Sequence, residues 1–267
     1  MRRRAELALA LGLGAAALAA ADPAGAFPQR DWPSRMDAAR VYAENREGLV
    51  GFALVDERGH LHGHRARAQV PTASLLKAML LVAYLRLARG RELADGERSL
   101  LGPMIRRSDN AAVGVLLPRV GAARMYRLAR RAGMTAFRLA WPVWGLSQTT
   151  PRDQARFFYR LDALVPARHR GYALRLLRTI VPSQRWGVGS LSIDRWRLHF
   201  KGGWGSGTGL VDHQSALLTC PGSRLSLAIT TRFNPDHDYG KATLRGIASR
   251  LLGELRLTLA NGSLGTC

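Results

Sequence analysis

Hydrophobic residues are spread unevenly along the chain, and their spacing divides it into regions. From Leu75 to Leu85 the run Leu75, Leu76, Ala78, Met79, Leu80, Leu81, Val82, Ala83, Tyr84 and Leu85 leaves almost no polar face. A helix with that pattern is buried all round. Upstream, the spacing predicts an amphipathic helix near Arg35 to Arg46 and a strand from Leu49 to Val55. A turn at Asp56-Glu57-Arg58-Gly59 and a returning strand from His60 follow. Helical patterns dominate from Ser74 to about Arg178. Beyond them come strand-like runs at Arg195 to Phe200, Gly209 to Thr219 and Leu225 to Thr231, then an amphipathic helix from about Tyr239 to Leu259. Strands at both ends with helices between them predict an α+β domain: one antiparallel sheet whose connection is interrupted by a helical lobe. The sheet lobe would take residues 27–70 and 190–267, and the helical lobe 71–189.

The first 26 residues read differently. Arg2, Arg3 and Arg4 precede an Ala/Leu/Gly run from Leu7 to Ala21, and Ala24-Gly25-Ala26 stands before Phe27. This is the form of a signal peptide with a small-residue cleavage site. It implies a secreted, extracytoplasmic domain over 27–267. The apolar run is short for a retained membrane span.

The 267 residues carry 40 Lys and Arg against 19 Asp and Glu, a formal charge of +21. A field of that size favours anionic surroundings. The arginines are scattered through helices and loops, with no basic block interleaved with aromatics, which argues against a nucleic-acid groove. Anionic cell-wall polymers as partners, or an arginine-biased genome, account for the charge better. Two cysteines, Cys220 and Cys267, are too few for a disulfide framework. Cys220 is expected as a small buried hydrophobe, unpaired with Cys267.

Against this arginine background Lys77 stands out, one of three lysines in the chain and three positions after Ser74. A guanidinium stays protonated at working pH, whereas a buried ammonium can lose its proton and act as a base. Residues i and i+3 share a helix face, so Lys77 would approach the Ser74 hydroxyl in desolvated surroundings. The alternative is a surface lysine at a helix start. Two further motifs follow: Ser108-Asp109-Asn110, opening the helix Ala111 to Leu117, and Lys201-Gly202-Gly203-Trp204, at the end of a strand.

In this order, Ser-x-x-Lys, Ser-Asp-Asn and Lys-x-Gly resemble the signature of the serine β-lactamase and penicillin-binding protein superfamily. The likeness is closest to class A β-lactamases. Thr149-Thr150-Pro151 resembles the start of the helix after that family's Ω loop, and Gln184-Arg185-Trp186-Gly187 resembles a branch of β-lactamase-related serine hydrolases. The resemblance implies a five-stranded antiparallel sheet flanked by terminal helices, with an inserted all-helical lobe. It implies Ser74 as the nucleophile forming an acyl-enzyme, Lys77 as the base, and Ser108 as the proton carrier to the leaving nitrogen. Asn110 would hold Lys77 and the acyl side chain, and Lys201 would assist Ser108 and attract a substrate carboxylate. Backbone N–H groups of Ser74 and Trp204 would form the oxyanion hole, with Gly203 allowing close approach. The implied substrate is a β-lactam, a peptidoglycan-like peptide or an ester, with no cofactor or metal.

Three departures bear on the chemistry. No Asp or Glu lies between Asp109 and Asp153, so the stretch Leu139 to Gln148 lacks the carboxylate that activates the deacylating water in class A enzymes. Ser147 and Gln148 remain as groups able to orient a water, without being bases. Gly202 stands in place of a hydroxyl residue, and the segment between the first two motifs is short. Slow β-lactam turnover is therefore expected. A non-hydrolytic penicillin-binding or wall-binding protein is the alternative. Among the histidines, His60, His62 and His64 alternate along the expected strand, as a metal-binding or simply polar face. His213 beside Asp212 invites a triad reading without an identifiable serine, and Asp236-His237-Asp238 is expected to cap the last helix.

Overall fold

A computed structural model describes residues 31–193 and 196–253. The expected leader, Arg195, Cys267 and the end of the closing helix lie outside these residues. The chain runs α1 (Trp32–Glu44), β1 (Leu49–Val55), β2 (Leu61–His64), β3 (Val70–Pro71), α2 (Leu76–Leu87), α3 (Asp95–Arg106), α4 (Ala111–Val120) and α5 (Ala122–Ala132). It continues β4 (Gln148–Thr149), α6 (Pro151–Tyr159), α7 (Leu161–Leu164), α8 (Ala167–Arg178), β5 (Arg197–Gly205), β6 (Val211–Cys220), β7 (Ser223–Arg232) and α9 (His237–Leu252).

Five strands form one antiparallel sheet in the order β2-β1-β7-β6-β5. β1 pairs with β7 through Phe52↔Ile229 and Ala53↔Ala228, so the two ends of the fold are joined before the helical insertion adds anything. Side chains alternate between the faces. Val50, Phe52 and Leu54 enter the main core, whereas Ala53, Val55 and Ala228 meet Ala155 of α6. The small alanines let α6 lie close against the sheet. α1 and α9 pack on each other, with α9 also on β6 and β7. Asp236 caps α9 by accepting from Tyr239 N at 2.7 Å.

The five strands and flanking helices follow the expected α+β architecture. β5 departs in extent: it continues through Lys201-Gly202-Gly203-Trp204 to Gly205, each residue paired with β6. The third motif is therefore part of an edge strand. Cys220 also departs, being half-buried and disulfide-bonded rather than a buried free thiol. It ends β6 at the Pro221-Gly222 turn, where side chains reach the surface.

Candidate functional site

The cleft is built around the first turn of α2. A short 3-10 turn, Ala73–Leu75, precedes the helix, and Ala73 takes a left-handed φ of 43°. Such a conformation costs a non-glycine residue on the order of 1–3 kcal/mol and persists only where the surroundings impose it. Here Thr72 N donates to Ser147 O at 2.6 Å, and β3 pairs with β4 on the other side. From below, neutral His213 donates through Nε2 to Pro71 O at 2.9 Å and accepts Thr231 N at Nδ1. Burial lowers His213 to about 4, which keeps the ring uncharged. His213 is thus a strut beneath the turn, and the triad reading has no support from its partners.

All residues of α2 from Leu76 to Leu85 are buried. Lys77 has no exposed surface, and Ser74 is 9% exposed. Lys77 Nζ lies within hydrogen-bond distance of Ser74 Oγ at 3.0 Å, Ser108 O at 2.5 Å, Ser108 Oγ at 3.1 Å and Asn110 Oδ1 at 2.6 Å. Ser108 presents both oxygens because it adopts φ 60° in the turn between α3 and α4. Asp109 stabilises that turn by capping Ala111 N at 2.7 Å. Lys201 Nζ reaches the same Ser108 Oγ at 3.1 Å and Gly202 O at 2.6 Å. Five expected residues, Ser74, Lys77, Ser108, Asn110 and Lys201, thus form one hydrogen-bonded cluster.

Electrostatics restrict how many protons the cluster holds. Burial lowers Lys77 to about 8, opposed by the charge of Asp109. Burial, and then the charge of Lys77, hold Lys201 well below an ordinary lysine. Lys201 is therefore not a simple fixed cation: the two amines compete for charge across Ser108. Two of the Lys77 partners, Ser108 O and Asn110 Oδ1, can only accept. A neutral amine satisfies both with its two N–H groups and turns its lone pair to a hydroxyl.

Gly203 faces the start of α2. A Cβ there would lie 2.9 Å from Ser74 N, 3.0 Å from Leu75 N and 3.2 Å from Thr72 O, so only glycine permits this approach. At Gly202 a Cβ would instead meet the Trp186 ring edge at 3.1 Å. Trp186 stands edge-on to Trp204 at 5.7 Å, and His237 stacks on Trp204 at 6.0 Å. His237 Nδ1 bonds Asp212 Oδ1 at 2.6 Å, and burial pushes Asp212 up to about 6 despite that partner. Trp204, Asp212 and His237 border a cavity of about 130 Å³ beside the third motif.

On the opposite side, the Trp144 ring stands 5.0 Å from Lys77 Nζ, within cation–π reach. Ser147 Oγ donates to Trp144 O and accepts Ala140 N, while the Gln148 amide donates to Leu146 O. Both side chains are bonded within their own loop, Ser147 through donor and acceptor and Gln148 through its amide nitrogen. The sequence alone did not single out Trp144, or the reach of His237 to Asp212. The aromatic content of 141–144 and of 186 was the available signal. The outer histidines have local partners: His62 bonds Asp56 at 2.8 Å and His64 lies against Phe52. Among the described residues no group of three potential ligands converges on a metal position, and no helix is long and apolar enough to cross a membrane.

Comparisons with known proteins agree with this layout. A family model described as the beta-lactamase enzyme family matches residues 96–255. No curated protein matched the chain. The β-lactamase of Sphaerobacter thermophilus superposes with a TM-score of 0.73 at 21% identity, covering 85% of this chain and 99% of that one. A β-lactamase from Xanthomonas campestris pv. campestris gives 0.71 at 19% identity, covering 83% and 97%. The class A β-lactamase of the last common ancestor of Gram-negative bacteria gives 0.70 at 21%, covering 82% and 98%. These likenesses establish the fold. With the family match extending over more than half its length, the chain belongs to the beta-lactamase enzyme family, and its fold is that of the class A β-lactamases.

Proposed function

We propose that the chain is a secreted hydrolase that forms an acyl-enzyme on Ser74 and releases it slowly. The observation that carries this reading is the unbroken path Ser74 Oγ, Lys77 Nζ, Ser108 Oγ, Lys201 Nζ, with steps of 3.0, 3.1 and 3.1 Å. Neutral Lys77 accepts the Ser74 proton as Oγ attacks the carbonyl carbon. The resulting oxyanion is held by Ser74 N–H and Trp204 N–H, a contribution of several kcal/mol to such transition states. The Lys77 proton then passes by way of Ser108 Oγ to the departing nitrogen or oxygen, and the carbonyl re-forms as an ester on Ser74. Asn110 and Ser108 O keep the amine aimed throughout.

Deacylation lacks a comparable group. The Leu139–Gln148 wall has no carboxylate, and its nearest contribution to Lys77 is the Trp144 ring. A water attacking the ester must therefore use Lys77 itself as base. β-Lactam turnover is slow on this reading. The substrate end beside Gly202 meets the Trp186 and Trp204 rings in place of a hydroxyl, which suits a substrate with an apolar group there better than one needing a hydroxyl clamp on its carboxylate. A second reading, a penicillin-binding or wall-binding protein that never turns over, is favoured by the same apolar wall.

Intact-mass measurement after incubation with a penicillin and with a fluorophosphonate tests the proposal. A single adduct, absent from Ser74→Ala, is expected. No adduct from either reagent on a folded sample would overturn the nucleophile assignment, and an adduct that persists for days would favour the second reading.

A further inference from the structure

The far end of α2 carries a feature that the serine chemistry does not use. Arg86 and Arg89 at the end of that helix face Arg124, Arg127 and Arg131 of α5 across a cavity of about 300 Å³. Ala83, the lining residue of α2 nearest to Lys77, is six residues from it, which sets the near edge of this cavity roughly 9 Å from the Ser74 cluster along the helix. No acidic and no aromatic side chain is among its lining residues, and its floor is apolar, including Ala83 and Leu128.

Five guanidinium groups around one concavity repel one another. α5 has no acidic residue to offset Arg124, Arg127 and Arg131, which fall at spacings that place like charges on adjacent turns. Arg86 donates to Leu164 O at 2.6 Å and Arg124 to Val120 O at 3.1 Å, both backbone acceptors that bring no full negative charge. Arg86 is held below the usual guanidinium value by burial and then by the charges of Arg131 and Arg89, with no carboxylate acting the other way. A general excess of arginine explains why these residues are not lysines. It does not explain why five share one cavity with no counter-charge.

From this convergence we infer a second binding site, distinct from the serine centre, for a compact anion carrying more than one phosphate group. Guanidinium forks match phosphate oxygens in pairs, and several forks on one concavity suit several such groups. The volume admits a small oligophosphate. The absence of aromatic side chains leaves nothing on which nucleic-acid bases would stack.

Calorimetric titration of the full chain with sodium tripolyphosphate, at about 150 mM salt so that diffuse attraction is screened, tests the site. One saturable site per chain is expected. The double variant Arg127→Gln/Arg131→Gln should weaken binding about tenfold or more, whereas Arg58→Gln/Arg67→Gln, of equal charge and also exposed, should change it less than about twofold. Arg89→Gln provides an independent variant, and melting temperatures confirm that each protein is folded. Long-chain inorganic polyphosphate, titrated in parallel, distinguishes the source: several chains bound along one polymer point to a polymeric ligand, and preference for the short anion points to a free metabolite. Equal weakening by both double variants, or absence of saturation, would overturn the inference. Tighter binding of an oligothymidine through the same arginines would do so as well, in favour of a nucleic-acid site.

Discussion

The two walls of the Ser74 cleft are chemically unlike. One, formed by α2, the turn between α3 and α4, and β5, places two amines, two hydroxyls and an amide in hydrogen-bond contact. The other, the loop from Leu139 to Gln148, offers an indole ring and side chains engaged with their own backbone. The first wall is expensive to build. It buries two amines and holds Ser108 and Ala73 at positive φ. The second demands little beyond a closed loop. On the proposed mechanism, moving a proton off the serine and moving one off a water are separate structural problems, and the described residues hold a dedicated arrangement for the first.

The largest expected effect comes from disabling the first wall. Lys77→Ala should slow acylation about 10³-fold, within the usual range for a lost general base, as measured by the rate of adduct formation. Lys77→Arg should not restore it, since a guanidinium does not deprotonate. On the proposed mechanism the reactive form of the unmodified protein is the neutral amine, whose fraction grows as pH rises. Acylation should therefore climb with pH and level off above about 8; a rate flat from pH 6 to 9 would argue against Lys77 as the base.

A smaller effect tests how closely the strand and the helix must meet. Gly203→Ala puts a methyl 2.9 Å from Ser74 N and should lower acylation about 10²-fold by displacing the oxyanion donors. Gly202→Ala, whose Cβ meets only the edge of Trp186, should cost less than about tenfold. Equal losses at the two positions would show that the strand as a whole, rather than its approach to Ser74, is at stake.

A modest change sharpens the contrast from the other side. Trp144→Glu introduces a carboxylate near Lys77 and should shorten the acyl-enzyme lifetime about tenfold. The same charge favours protonated Lys77, so the acylation profile should shift to higher pH. Time-resolved intact mass, with acylation and release followed separately, reads both changes.

What was legible in the sequence followed from local rules. Ser74 and Lys77 could be paired because a helix turn brings i and i+3 together, and the all-apolar run around them announced burial. The sheet could be drawn because alternation and turn residues mark strands. The rest depended on how distant segments close on one another. Trp144 reaches Lys77 only once its loop folds back over α2, and nothing in its immediate neighbours encodes that. Asp236 was readable as a helix cap, yet the bond from His237 to Asp212 requires α9 to lie against β6. Lys201 was readable as a cleft residue, but its lowered basicity is a consequence of complete burial beside a second amine. Cys220 was misread because its apolar predecessors suggested core, whereas the turn after it brings the strand to the surface.

The short pairing of Val70-Pro71 with Gln148-Thr149 has a consequence for how this enzyme could change. It fastens the segment that presents the proposed nucleophile to the segment that would have to present a deacylating base. The two reaction steps therefore share one hinge. Insertions or deletions that remodel the loop near its downstream end will be felt at Ser74, while changes confined to its middle, around Trp144, leave the hinge alone. Selection for faster turnover has a narrow window of positions in which to act, and a single residue at its centre is the economical place to begin.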